Sequence, residues 1–225
     1  MVNMMNNYAA SKTKLVSCCC TAVIAIIFFL GLSMVEPVSI AAGSISNSSQ
    51  VGGQELQEQQ QQQGEWLLYQ NVTYGVSMLY PSNWTQQNTT GAADDRFVYV
   101  SEFLSPEETG GYFAYVTIAV DNNPRTTNTQ GYRDQSVDIY RQDPSFEDFQ
   151  LLSSSIGNFT LAGMPAYSLE IAYTDLQFGP QNMLEVGRIF DNRVYYIQYF
   201  ADPPIYQKYL PIAERMIESF QIMQQ

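Results

Sequence analysis

Histidine is absent from this 225-residue chain. Without imidazole there is no Ser-His-Asp triad, no histidine metal ligand and no imidazole proton relay. Cysteine is confined to Cys18, Cys19 and Cys20, side by side near the start of an apolar run. The remainder therefore has no thiol nucleophile and no cysteine zinc or iron–sulfur site, and it must be stable without cross-links. The trio reads as small, membrane-compatible residues, with cytoplasmic-side acylation as the alternative. A lipoprotein signal would need its cysteine at the other end of the run. Charge is sparse, at 14% of residues, and biased: 10 basic against 22 acidic, a formal net charge of -12. Such a field repels phosphate backbones, so nucleic acid is not an expected partner. Phosphate-binding and nucleophile-elbow glycine motifs are also missing. Most hydrolases, redox enzymes and nucleotide users are thereby excluded.

What is present falls into three parts. Lys12 and Lys14 precede the uncharged run Leu15 to Leu32, and small residues follow at Ser39 to Ala42. A basic start, an apolar core and a small-residue site form an export signal. The run also reaches the length of a membrane span, so residues 1–42 read as a cleaved signal peptide or a retained N-terminal anchor. Either way the lysines stay inside and the rest is expected outside the cytoplasmic membrane. Residues 43–64 are Ser, Gly and Gln with almost no apolar content. They are expected to be a disordered tether, because they cannot bury enough surface to offset ordering.

Residues 65–225 have the texture of one folded domain. Alternating apolar and polar residues predict strands over Glu65–Val72, Tyr74–Tyr80, Arg96–Phe103 and Tyr112–Val120. The last is apolar on both faces, as in a strand covered on two sides. Thr129 to Gln142 shifts to helical spacing, with Tyr132, Ser136, Ile139 and Tyr140 on one face and Asn128 or Thr129 as N-cap. Strands return at Phe146–Ser154, Met164–Tyr173, Met183–Phe190 and Arg193–Phe200. Asp191-Asn192 joins the last two and tolerates the positive φ of a tight hairpin. A closing amphipathic helix spans Pro203 to Phe220, with a kink or restart expected at Pro211. The fold class is α+β on a largely antiparallel sheet.

Carboxylates supply the remaining candidate chemistry. Asp134 and Asp138 lie four apart on the predicted helix and are candidate calcium ligands, with a solvated face as the plain reading. Asp94-Asp95 and Glu107-Glu108 are expected to be solvated loop pairs. Asp121-Asn122-Asn123 lacks the glycine and terminal Glu of an EF-hand loop and is expected to be a turn. Asn47, Asn71, Asn83, Asn88 and Asn158 each begin an N-x-[ST] sequon and are candidate glycosylation sites. Trp84 and the tyrosines are expected in the core, with a ligand-stacking surface as the alternative.

Tyr74 to Trp84 (YGVSMLYPSNW) resembles the opening of PsbP-like domains, in which a strand runs into a Pro-x-x-Trp turn. In the same order, Ala162 to Tyr167 is similar to the family's glycine turn, Asn192 to Tyr195 to its late hairpin, and Met216 to Phe220 to its closing helix. The resemblance implies a Mog1/PsbP-like α-β-α sandwich with a central antiparallel sheet, and a non-enzymatic role. Photosynthetic members of that family are extrinsic subunits supporting the calcium and manganese chemistry of photosystem II. The expectation is an extracytoplasmic binding or assembly module with no catalytic residue and no required cofactor, docking on a protein of a surface or membrane complex. The alternatives are a calcium- or manganese-linked accessory subunit and a carboxylate-based glycan hydrolase.

Overall fold

The computed structural model describes residues 64–89 and 95–223. The elements run β1 (Trp66–Asn71), β2 (Val76–Pro81), β3 (Thr85–Asn88), β4 (Phe97–Leu104), β5 (Ala114–Asp121), α1 (Thr129–Gln142), β6 (Phe146–Leu161), β7 (Met164–Asp175), β8 (Gly179–Phe190), β9 (Arg193–Ala201), α2 (Pro203–Ser219) and β10 (Gln221–Ile222). Seven strands form one sheet in the order β3-β4-β5-β9-β8-β7-β6, and β1-β2-β10 form a second. Every pairing is antiparallel. The leader and the tether expected within residues 1–63 lie outside the described residues, as do Asn47 and Asp94.

The two helices cover opposite faces of the large sheet, giving an α-β-α sandwich. Strand alternation assigns the side chains. Val116 and Ile118 of β5 pack with Leu184 and Val186 of β8 and with Ile205 and Met216 of α2, in a core that the small sheet completes through Val76 and Met78. Ala119, Tyr167, Leu169 and Tyr196 point the other way, onto Tyr132 and Val137 of α1. β5 is buried along its whole length, as its two apolar faces require.

Local chemistry fixes the junctions. Asp191 and Asn192 both take positive φ, 48° and 58°, in the two-residue turn between β8 and β9. Gly75 also has positive φ, and a Cβ there would meet the Met223 carbonyl oxygen at 3.0 Å. Asn128 caps α1 by accepting a hydrogen bond from the Gly131 amide at 2.6 Å. Asp202 precedes α2 without a side-chain cap. Its carboxylate instead accepts from Gln181 Nε2 at 2.8 Å and from the Phe113 amide at 3.3 Å, tying β8 and the β4–β5 loop to the helix start.

Several boundaries differ from the sequence expectation. α2 continues through Pro211 without a restart. Pro211 and Gln207, one turn earlier, are both exposed, so water can serve the carbonyl that loses its donor. β6 runs on to Leu161 because register shifts let it follow β7 beyond Ser154. β8 starts at Gly179, ahead of Met183. Tyr112 lies in the loop before β5, and Val137 takes the buried place expected for Ile139. The short strands β3 and β10 had no signature of their own.

Asn128→Ala removes the cap of α1 while leaving its buried face intact. It is expected to destabilise the protein by about 1 kcal/mol and to lower the melting temperature by about 2–4 °C in a domain of this size, measured by calorimetry.

Candidate functional site

The α1 face of the sheet carries a polar row. Glu102 of β4 lies opposite Thr117 of β5, Thr117 opposite Gln198 of β9, and Gln198 opposite Glu185 of β8. All four are buried. Opposed residues on neighbouring strands share a face, so the register alone makes this a continuous line across the sheet.

Glu185 is its best-held member, 1% exposed. Its Oε1 accepts from the Tyr167 hydroxyl at 2.7 Å, and its Oε2 accepts from Gln198 Nε2 at 2.8 Å and from the Tyr140 hydroxyl. Gln198 Nε2 also donates to the Tyr140 oxygen at 2.9 Å, and its Oε1 accepts from Thr117 Oγ1 at 3.4 Å. Burial raises the Glu185 pKa above its ordinary 4.5, against the lowering effect of hydrogen bonds from Tyr140, Tyr167, Gln198 and Ser136. Burial likewise pushes up the phenols of Tyr140 and Tyr167, with the Glu185 charge adding to the shift. Gly187 makes room for this arrangement. A Cβ at that position would sit 2.7 Å from the Tyr167 ring and hydroxyl.

A second link holds the start of α1. Asp121, fully buried, accepts from Arg96 Nε at 3.2 Å and Nη2 at 3.1 Å. It also accepts from the Tyr132 hydroxyl at 3.2 Å and the Asn123 amide at 2.9 Å. The residue expected to open a loop turn is thus also an anchor between β5 and α1. Glu108, expected in solvent, accepts from Lys208 Nζ at 2.6 Å and from the Tyr209 hydroxyl. The Lys208 hydrogen bond, followed by that of Tyr209, draws its pKa down. Burial and the Glu108 hydrogen bond raise Tyr209 to about 12. Trp84 is buried with its ring 5.9 Å from that of Tyr209, in the core.

The sequence candidates lie elsewhere. Asp134 and Asp138 are exposed on the outer side of α1, each paired with an arginine: Arg133 Nη2 at 2.6 Å and Arg141 Nη1 at 3.3 Å. Among the described residues no three histidine, cysteine or carboxylate side chains are grouped to hold a metal ion. Asn83, Asn88 and Asn158 are exposed, whereas Asn71 is half-buried. The Asn71 side chain donates to the Tyr69 hydroxyl at 3.2 Å and accepts from the Tyr74 amide at 3.2 Å. Among the described residues no helix is long and apolar enough to cross a membrane.

The surface offers one further feature. Large exposed apolar side chains gather at the open edges of both sheets: Leu67 and Leu68 on β1, and Leu151, Leu152 and Ile156 on β6. Sequence alternation missed this on β6, where bulges break the period of two.

The family profile described as PsbP-like protein matches residues 23–222. The chain belongs to the PsbP-like family. No curated protein matches the sequence. Among solved structures, this PsbP-like chain is similar to cyanobacterial PsbP (CyanoP) from Synechocystis sp. PCC 6803, at 13% identity, over 80% of this chain and 99% of that one, with a TM-score of 0.49. It is similar to the Ran-binding protein Mog1p of Saccharomyces cerevisiae at 7% identity, over 72% and 97% of the two chains, TM-score 0.47. It is also similar to LpqN, involved in cell envelope biogenesis of Mycobacterium tuberculosis, at 11% identity, over 73% and 94%, TM-score 0.49.

Glu185→Gln tests the polar row of this PsbP-like domain. The folded-state pKa of Glu185 is raised, so its proton is held more tightly folded than unfolded. Stability is therefore lost as pH rises from about 4.5 through the folded pKa. Glu185→Gln is expected to flatten that part of the stability–pH curve in urea unfolding, improving relative to the native protein as pH increases.

Proposed function

We propose that this protein is a non-enzymatic binding and assembly module, held outside the cytoplasmic membrane, that docks on a protein of a surface or membrane complex. The observation that carries the reading is the pair of open strand edges dressed with exposed leucine and isoleucine. Open edges bearing apolar side chains are surfaces on which extended segments of other chains pair. Membership of the PsbP-like family supports the same reading. So does the chemistry of the buried carboxylates: Glu185 and Asp121 are buried and held by protein donors.

The placement outside rests on the sequence. Lys12 and Lys14 ahead of Leu15 to Leu32 hold the start of the chain on the cytoplasmic side. In this reading residues 1–42 are the signal or anchor, 43–64 the tether and 65–225 the docking domain. Residues 15–32 meet the membrane if they are retained. Asn83, Asn88 and Asn158 are the sequons best presented to a glycosylating host.

Photo-crosslinking of the full chain in its native membranes tests the reading. A crosslinker at Leu68 or Leu151 is expected to give a discrete protein adduct, and one at Asp134 to give none. Equal labelling from all three positions, or none from either edge, overturns it. Protease added outside intact cells is expected to cleave the domain, and its full protection would refute the location. Calcium or EDTA is expected to leave the melting temperature unchanged, since a cation selective for the folded state must raise it. A rise that EDTA reverses, and that Asp134→Asn with Asp138→Asn abolishes, would establish the metal-linked accessory role instead.

A further inference from the structure

With 22 acidic residues against 10 basic ones, this chain has carboxylates in ample supply as partners for an arginine. Arg96, Arg133, Arg141 and Lys208 each hold one. Among the described residues Arg188 and Arg193 are in no ion pair. Arg188 is the harder to account for, because it is buried, 9% exposed. Its Nε and Nη2 both donate to one acceptor, the Ile189 carbonyl oxygen, at a long 3.4 Å. Its Nη1 is buried with no hydrogen-bond partner. A guanidinium with five N–H groups is thus served by a single distant carbonyl. Buried polar groups are ordinarily bonded and buried charges paired, so an orphan of this kind points to a missing acceptor. Burial draws the Arg188 pKa down, and no acidic neighbour opposes the shift.

The register shows what stands beside it. In the β8–β9 ladder Arg188 lies opposite Tyr195, and Phe190 lies opposite Arg193. Residues two apart on a strand share a face with their cross-strand partners, so all four are on one side of the sheet. It is the α2 side, where Tyr195 belongs to the core. Arg193 is exposed and Phe190 half-buried, with the Arg188 guanidinium 6.0 Å from the Phe190 ring centroid. The Phe190 and Tyr195 rings meet edge to face at 6.5 Å. Arg188 and Arg193 are diagonal neighbours on adjacent strands, a spacing that long side chains span. Two planar forks match the paired oxygens of an anion, and the Phe190 ring beside them takes an apolar stem.

The rest of the chain decides which anion. A net charge of -12 repels polyanions such as nucleic acid or an anionic lipid surface as they approach. A single carboxylate brings one charge, and at contact distance two guanidinium groups outweigh a screened remainder. We propose that Arg188 and Arg193, with Phe190, form a carboxylate-binding site that takes an acidic side chain presented by a protein partner. Arg193 meets the carboxylate at the surface, and Arg188 exchanges its long contact with Ile189 for a charge-assisted bond to the same group. The inference goes beyond the docking reading above, which rests on strand edges and needs no charged contact.

Calorimetric titration of the full chain in a non-ionic detergent tests it, with the blocked tripeptide acetyl-Leu-Glu-Leu-amide as the probe. Saturable binding is expected, weakened roughly tenfold or more when the probe carries Gln in place of Glu. Arg193→Gln, at an exposed position that folding does not need, is expected to weaken the Glu probe to a similar degree. Arg188→Met is expected to abolish its binding. It should also leave the melting temperature of the free protein unchanged or higher, since it removes a buried charge that has no partner. A fall of more than about 4 °C in that variant would make the Arg188 guanidinium a structural group and overturn the proposal. Equal binding of the Glu and Gln probes overturns it too, and leaves the docking reading standing on its edge crosslinks. Inorganic phosphate that binds more tightly than the Glu probe, and loses that binding in Arg193→Gln, would reassign the site to phosphate and overturn the carboxylate.

Discussion

The carboxylate of Glu185 has to be taken out of water, and much of the α1 side of the sheet is organised around that requirement. An ionised carboxylate without partners is untenable in the interior. Its donors come from α1 through Tyr140, from β7 through Tyr167 and from β9 through Gln198. Gly187 leaves the space in which the Tyr167 ring lies. One side chain on β8 thus fixes the position of a helix and of two flanking strands. The Asp121 cluster repeats the device at the start of α1 with Arg96 and Tyr132.

The two faces of the large sheet are therefore held by different physics. Against α2 the contact is apolar and shape-driven, through Val116, Ile118, Leu184 and Met216. Against α1 it is apolar at Leu169 and Val137 but directional at Glu185 and Asp121. Directional buried contacts add little net stability over a hydrophobic replacement, yet a displaced one leaves a charge stranded. The α1 side consequently has a sharply defined geometry, while the α2 side supplies most of the apolar burial.

The parts of this fold that were legible in the sequence are those governed by local rules. The β8–β9 turn followed from Asp191-Asn192, the span of α1 from its change of period, and the two-sided burial of β5 from its apolar run. The order of motifs from Tyr74-Gly75 to Ser219-Phe220 pointed to the family. Non-local properties were not legible. Glu185 and Gln198 look like ordinary outward residues of alternating strands, and their burial follows only once four strands are in register beneath α1. A charged or amide residue inside an otherwise doubly apolar strand was the available signal. β6 escaped for the opposite reason: its bulges destroy the alternation by which its length would have been recognised. β3 and β10 are too short to carry a pattern at all.

The aromatic residues are divided between the faces in a way that gives the molecule two optical channels. Both tryptophans belong to the α2 side: Trp84 is buried against Tyr209, and Trp66 lies under the Arg215 guanidinium, 4.2 Å from its ring. The tyrosines around Glu185 and Asp121 have no tryptophan among them. Fluorescence excited at the red edge of the spectrum therefore watches the packing of α2 with the small sheet. The near-ultraviolet dichroism of the tyrosines includes the layer beneath α1. Loss of one signal before the other would reveal which face of the sandwich opens first.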